Sequence, residues 1–456
     1  MDKFIDFRSK FSSFIFDSYD VLKSDEKYII TYNYVIPGLD SFEHKIIIPI
    51  NVIKRDYDKE FFNNLVFHLG LVESISYYKC CCPSNFVIKC GNINEEQINW
   101  FKKLFYNGLG EFLYRNNIDI EMNNFVNFVV DNDISFVDKC SFSSNGNMIA
   151  IGGGKDSCVS LELLKNESEN SCFLINGKGP MIECVEASGY DINDQFLVER
   201  ILDKDKLINL NKLGYLNGHI PLNASIAFLS YLTAYLSGKK YIILSNENSA
   251  NESYVKGLNV NHQYSKSFEF ENDFYNYSLK FFSDDIIYFS LLRPLSELQI
   301  AYLFSKYDKY HYVFKSCNLG SKNDKWQWCL NCSKCLFIYI VLSAFLSDDK
   351  MISIFGENLL DKESLKDDFI GLIGKGDNKP FECVGTYDEV LYCVNKVIKR
   401  YLDSNIKLPY LLDYYYNLYG VSMVDDSILF EYNDKNNLSE HFSFIVKEEL
   451  KKWIIK

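Results

Sequence analysis

Hydrophobic and polar positions along this chain repeat with two periods, and the way the periods interleave predicts the architecture. Residues 28–34 and 45–48 run apolar or alternate on either side of the Pro37-Gly38 turn, which predicts a small sheet. Three- and four-residue spacing follows over 61–77 and 95–114 and predicts helices. From Asn147 to about Leu346 the two patterns take turns. Strands are expected at 148–151, 172–175, 207–210, 241–244 and 286–290, and helices at 155–164, 193–201, 222–236, 263–281 and 296–305. Such alternation predicts an α/β fold, a parallel sheet with helices on both faces, whose ligands bind outside the C-terminal strand ends. Beyond Lys350, amphipathic stretches at 363–370, 387–401 and 439–453 predict a helical C-terminal region.

Composition narrows the function classes. The 456 residues carry 48 basic and 61 acidic side chains, a formal charge of −13, with no Lys/Arg block, so a nucleic-acid partner is not expected. The first twenty residues intersperse charges among aromatics, unlike a signal peptide. The longest apolar runs, 226–237 and 335–346, are too short to span a bilayer and fit buried helices. A soluble, cytoplasmic protein is expected, its 14 cysteines being buried thiols or metal ligands. Cys80, Cys81 and Cys82 read as buried thiols near a turn, and His68 as a core histidine.

One stretch carries a specific chemistry. Met148 to Ile151 enters the turn Gly152-Gly153-Gly154, and Lys155-Asp156-Ser157 opens the next helix. Glycines let backbone N–H groups close on a polyanion at a helix N-terminus. Asp156 excludes a Walker A loop, which requires Ser or Thr after the lysine. It also sits poorly in a Rossmann turn, where it would repel the pyrophosphate. A carboxylate here makes sense with Mg²⁺ between it and the phosphates. The pattern G-G-G-K-D-S resembles the S-G-G-x-D-S loop of the PP-loop ATP pyrophosphatases, with Gly152 replacing the first serine. The resemblance implies an adenine-nucleotide α-hydrolase-like fold and cleavage of ATP to AMP and pyrophosphate. Gly152, Gly153, Gly154, Lys155, Asp156 and Ser157 would hold pyrophosphate and Mg²⁺.

Polar loops and a cysteine cluster supply further candidates. Three loops, 216–221, 245–252 and 261–267, offer amides, hydroxyls, His219, Glu247, Glu252, His262 and Lys266; capping of the following helices is the plain reading of each. The loop 371–385 contains Lys379, Glu382 and Cys383, and reads either as a surface loop or as a cover for the nucleotide site. Cys317, Cys329, Cys332 and Cys335 bring four thiolates into nineteen residues. Structural zinc is the expected ligand, with an iron–sulfur cluster the alternative.

Taken with the strings 67–79, 107–112, 245–252, 260–267 and 379–385, these features resemble the MurL-type ATP-dependent epimerases of UDP-N-acetylmuramoyl-L-alanyl-L-glutamate. The resemblance implies an isomerase of peptidoglycan precursor synthesis that inverts the terminal L-glutamate through an acyl adenylate, with the UDP-muramoyl dipeptide as its small-molecule partner. The expected division is an α+β domain over 1–143, a PP-loop domain over 144–350 and a helical region over 351–456. The epimerising groups are expected among Glu247, Glu252, His262, Lys266 and Cys383, with Lys155 and Asp156 serving adenylation. The clip beside the PP-loop also resembles the 7-cyano-7-deazaguanine synthases, which convert a carboxylate to a nitrile, although these need no such long terminal regions. A nucleotide-binding module without turnover is the remaining alternative.

Overall fold

Ten strands form one sheet among the described residues of this computed structural model, which cover 3–136, 139–191, 193, 195–251, 261–322 and 326–454. They are β1 (Ser13–Lys23), β2 (Lys27–Ile36), β3 (Asp40–Pro49), β4 (Asn85–Ile88), β5 (Asn127–Val130), β6 (Asn147–Ala150), β7 (Asn170–Ile175), β8 (Gln195–Ile201), β9 (Tyr241–Leu244) and β10 (Ile287–Ser290). Their order is β10-β9-β6-β7-β8-β3-β2-β1-β4-β5. The first five of that order pair in parallel. At β8 the direction reverses: β3 pairs with it antiparallel, Lys45 facing Ile201, and β1, β2 and β3 form an antiparallel meander. β4 and β5 extend the far edge in parallel with β1. The protein is therefore α/β with a mixed sheet, and the small sheet expected near the N-terminus is continuous with the parallel part.

Side-chain alternation along the central strands explains the two cores. On β6, Met148 joins one core while Ile149 joins the other; on β7, Phe173 and Leu174 divide in the same way. The first core packs the helices Lys59–Glu73, Leu222–Ser237 and Phe268–Phe281, and the second packs Lys155–Leu164, Glu297–Phe304, Ser333–Ser343 and Tyr387–Asp403. Both faces are thus covered, which is why these strands read as short continuous apolar runs. Among the described residues no helix is long and apolar enough to cross a membrane.

Two expected elements are corrected. Residues 193–201, expected as a helix, contain strand β8, on which Val198 and Arg200 are buried while Glu199 and Ile201 are exposed. Residues 207–210, expected as a strand, lie within the helix Lys204–Lys212, where Leu210 alone is buried. Both are short apolar runs, for which spacing alone does not separate helix from strand. The other strands and helices expected over 148–305 are present within a few residues. β1, β4, β5 and the helix Pro180–Ser188 were not anticipated. Cys80, Cys81 and Cys82 are buried, and His68 is a core residue whose Nδ1 bonds the Asn64 carbonyl at 2.9 Å.

The junction between the two halves of the sheet contains a buried ion pair. Arg200 on β8 donates from Nε to Glu73 Oε2 at 2.8 Å and from Nη2 at 2.6 Å, while His44 Nε2 on β3 lies 3.5 Å from the same oxygen. Burial alone would raise the Glu73 carboxyl pKa, but the Arg200 and His44 charges hold it below its ordinary value. Glu73→Gln keeps the shape and strands the guanidinium, so it is expected to destabilise the fold by about 3–5 kcal/mol. Urea unfolding of the variant against the native chain checks this.

Candidate active site

The turn after β6 has the backbone a glycine run permits. Gly153 adopts φ +75°, and a Cβ there would stand 2.8 Å from the Met181 backbone nitrogen. A Cβ on Gly154 would meet Ser316 Oγ at 2.8 Å, whereas one on Gly152 would meet nothing within 4 Å. Gly154 is the N-cap of the helix Lys155–Leu164, so the first N–H groups of that helix have no partner within it. The turn is pinned by a backbone bond in which Lys315 N donates to Gly153 O at 2.9 Å.

In front of it lies a cleft of about 450 Å³. Gly152, Gly154, Asp156 and Ser157 line it, with an apolar wall that includes Phe173 and Leu244. Arg200, Lys266, Lys315 and Lys334 also line it, and among the described residues Asp156 is its one acidic side chain. A cationic cleft in a chain of net charge −13 concentrates anions where the glycine turn offers its N–H groups. Asp156 is also where a divalent cation among phosphates would find its carboxylate ligand.

Lys155 turns inward. Its buried ammonium contacts Asp156 Oδ1 and Glu297 Oε2, and it does not line the cleft. Two carboxylates share that one buried ammonium. Asp156 is held below its ordinary range by Lys155, against burial, while Glu297 is pushed up to about 8 by burial and by the charges of Asp156 and Glu247. Glu297 was not anticipated from sequence. It opens a helix whose capping box, Ser296 with Gln299, is an ordinary helix start, and its backbone N–H donates to Glu389 at 2.8 Å.

Of the expected acid–base candidates, three assemble. Lys266 Nζ donates to Cys383 Sγ at 3.3 Å, both lining the cleft, and the His262 ring also hydrogen-bonds that thiol. Burial would raise the Cys383 pKa, but Lys266, His262 and Lys334 bring it down to about 6. Burial would lower that of His262, but its bonds to Cys383 and Glu111 raise it to about 9. Glu247 is buried, and its charge acts on Lys266 and Glu297. Glu252 lies outside the described residues.

Arg293, which sequence reasoning missed, fixes these loops. Fully buried in the turn after β10, it donates to Glu247 O at 2.5 Å and to Lys266 O at 2.6 Å, and its charge is balanced by Glu271 at 2.8 Å. The loop carrying Cys383 is packed in place: Lys379 and Val384 are buried, and Lys334 donates to the Cys383 carbonyl oxygen. Ser267 caps the helix Phe268–Phe281 by accepting from Phe270 N at 3.2 Å, so the plain reading holds for that residue.

Beside the cleft the four cysteine sulfurs lie within 4.8 Å of one another, with Cys329 Sγ 3.3 Å from Cys332 Sγ and 3.7 Å from Cys335 Sγ. Four converging soft donors fit a tetrahedral metal. Trp328 is buried beside the cluster, and Trp326 lines the cleft.

Fold and site together define an α/β protein in which a glycine turn at a helix start and a paired thiol line one cleft, with a four-cysteine cluster beside it. Residues 6–291 match the MurL N-terminal domain and residues 313–407 the MurL C-terminal domain. The chain is 35% identical over 324 residues, 70% of each chain, to the UDP-N-acetyl-alpha-D-muramoyl-L-alanyl-L-glutamate epimerase of Xanthomonas oryzae pv. oryzae. It is 30% identical over 401 residues to the protein of that name from a Micromonospora species, covering 86% of this chain and 88% of the relative. A third so named, from Salinispora tropica, is 30% identical over 391 residues, 83% of each. No solved structure gives a significant match. The chain belongs to the MurL family.

The turn geometry separates its glycines. Gly152→Ser is expected to leave stability within about 0.5 kcal/mol, since its Cβ enters open space. Gly153→Ala, which meets both left-handed backbone strain and the Met181 backbone, is expected to cost more than about 1 kcal/mol. Thermal unfolding of the pair measures the difference.

Proposed function

We propose that this chain is an isomerase that inverts the terminal L-glutamate of UDP-N-acetylmuramoyl-L-alanyl-L-glutamate to D-glutamate in peptidoglycan precursor synthesis, spending ATP to AMP and pyrophosphate. The observation that carries the reading is the presence of a cation-held thiol, Cys383, in the same cleft as the Gly152–Gly154 turn. Membership of a family whose relatives bear the epimerase name supports it.

The chemistry follows from charge. A proton beside an ionised carboxylate resists removal because the enolate would place a second negative charge next to the first. Attack of that carboxylate on the ATP α-phosphorus gives an acyl adenylate and expels pyrophosphate, with the turn N–H groups and the cleft lysines stabilising the charge that develops on the leaving group. Asp156 would hold the Mg²⁺ that neutralises the phosphates. In the adenylate the carboxyl carries no charge, and the Cys383 thiolate then takes the α-proton. The enolate takes a proton from water on its opposite face, the proton held by Cys383 returns to solvent, and hydrolysis of the adenylate releases the inverted acid and AMP. Lys266, beside the sulfur, keeps it ionised between turnovers. Cys317, Cys329, Cys332 and Cys335 would hold zinc, which supplies cross-linking of the 317–335 segment and no reacting atom.

Incubation with ATP, Mg²⁺ and the UDP-muramoyl dipeptide is expected to yield AMP and D-glutamate, scored by chiral analysis after hydrolysis. Asp156→Ala should lose both products. Cys383→Ala should lose inversion by about 100-fold or more, the scale of general-base catalysis, while still forming AMP. A nitrile synthase would instead require ammonia and a different acid, and a binding module would form no AMP. With a base that must be ionised, held so by a protonated His262 hydrogen-bonded to it, kcat/KM for the dipeptide is expected to rise through about pH 6 and fall through about pH 9.

The purified chain is expected to be colourless and to carry one zinc, lost on Cys332→Ser. A brown protein with iron and sulfide would assign the cluster otherwise.

A further inference from the structure

We propose that Glu111, His262 and Cys383 form one hydrogen-bonded chain in which Glu111 and His262 are positioning residues that hold Cys383 as a thiolate before substrate binds; this rests on the role given above to Cys383. Glu111 lies in the helix Gly110–Arg115, 151 positions from His262 in sequence, and its Oε2 stands 2.5 Å from His262 Nδ1. An Nδ1 facing a carboxylate at that distance carries the proton, and the same ring hydrogen-bonds the Cys383 thiol. The order carboxylate, imidazole, sulfur is the arrangement by which an orienting acid holds a charged imidazole against a nucleophile or base. Glu111 and His262 are largely buried, so little water screens the pair.

The surroundings fit this role. Burial would raise the Glu111 pKa, yet His262 and Arg115 keep it low, which leaves a carboxylate for the imidazolium. Arg115 Nε takes the other carboxylate oxygen. The His219 ring lies 4.3 Å from that of His262, with its Nδ1 3.8 Å from Glu111 Oε2. Burial, His262 and the nearby Lys79 and Lys266 drive His219 down to about 4, so it stays neutral and does not compete for the carboxylate. Phe381 packs over both ends of the pair: its ring is 6.3 Å from that of His262 and 4.7 Å from the Arg115 guanidinium. At the sulfur the cations are Lys266, His262 and Lys334.

Glu111, His219 and His262 also present three metal-ligand atoms within 4.8 Å. Two ligands on one ion at bond lengths near 2.1 Å stand about 3 Å apart, so the 2.5 Å contact is that of a hydrogen bond.

Site-resolved alkylation tests the chain of contacts. The full-length protein is treated with iodoacetamide across pH 5 to 9, and the Cys383 peptide is quantified by mass spectrometry. The native profile should have its midpoint near pH 6, where an ordinary thiol is unreactive. Glu111→Gln should move the midpoint upward, slowing labelling at pH 5.5 about tenfold for each unit of the move, since the thiolate fraction falls in that proportion. Glu111→Asp should recover most of the native rate. His262→Gln should match Glu111→Gln, and the double variant should be no worse than either single one.

An unchanged or lowered midpoint in Glu111→Gln overturns the proposal. So does a second bound equivalent of divalent metal that disappears in His219→Ala. Labelling uses neither ATP nor the dipeptide. A flat profile therefore refutes the positioning chain even if inversion occurs, and a shifted profile without inversion refutes only the reaction proposed above.

Discussion

The space beneath Gly153 is the constraint from which the cleft follows. Its carbonyl accepts from Lys315, and the position of its missing side chain is taken by the Pro180–Met181 backbone. The β6 turn, the helix Pro180–Ser188 and the segment leading into Cys317 therefore meet where a methyl group has no room. Gly154 extends the junction to Ser316. Since this contact fixes the turn against the start of the cysteine cluster, the outward face of the turn, with its N–H groups, has a fixed relation to everything the cluster carries.

Charge is distributed on either side of that turn with different consequences. Inside, Lys155 is consumed by Asp156 and Glu297, and Arg293 by Glu271 and two backbone carbonyls, so these buried cations hold structure. Outside, Lys266, Lys315 and Lys334 line an open cleft in which Asp156 is the one carboxylate among the described residues. A buried cation without a partner would lose its charge, whereas one bordering a cleft is balanced by whatever anion enters. The thiol at Cys383 belongs to this second set, and its lowered pKa reflects a surplus of positive charge beside it.

The strand, turn and helix around residues 147–164 were legible because three independent signals coincide there: a short apolar run, consecutive glycines and a helical apolar face. The four cysteines were legible from spacing alone. β8 was not, because its seven residues alternate clearly only in their second half, where an arginine occupies a buried position. That arginine is tolerated only through Glu73, 127 positions away, a partner that no local pattern reveals. Glu111, Glu297 and Arg293 escaped for the same reason. Each sits in a sequence that local rules explain as an ordinary helix or turn, and its role appears only when distant loops are brought to it. Lys266 and Cys383 were nameable as candidates because they lie in polar loops, but their pairing across 117 residues was not.

The cysteine cluster bears on the chemistry through what it positions. Cys332 accepts from Cys335 N at 3.4 Å as N-cap of the helix Ser333–Ser343, so the cluster and the helix start are one unit. The second residue of that helix is Lys334, whose ammonium reaches both the Cys383 carbonyl and the cleft. On the other side of the cluster Asn318 donates to Glu382 at 2.5 Å, next to Cys383 in sequence. The loop bearing the thiol is thereby tied at two points to the segment that carries the four sulfurs, and that segment is tied through Lys315 to the glycine turn. The reaction proposed above would need the glycine turn and Cys383 at a fixed separation, so that an anhydride and a Cα–H come within reach of one another. In this chain Lys315, Asn318 and Lys334, which flank the cysteine cluster, supply the contacts to the turn and to the Cys383 loop.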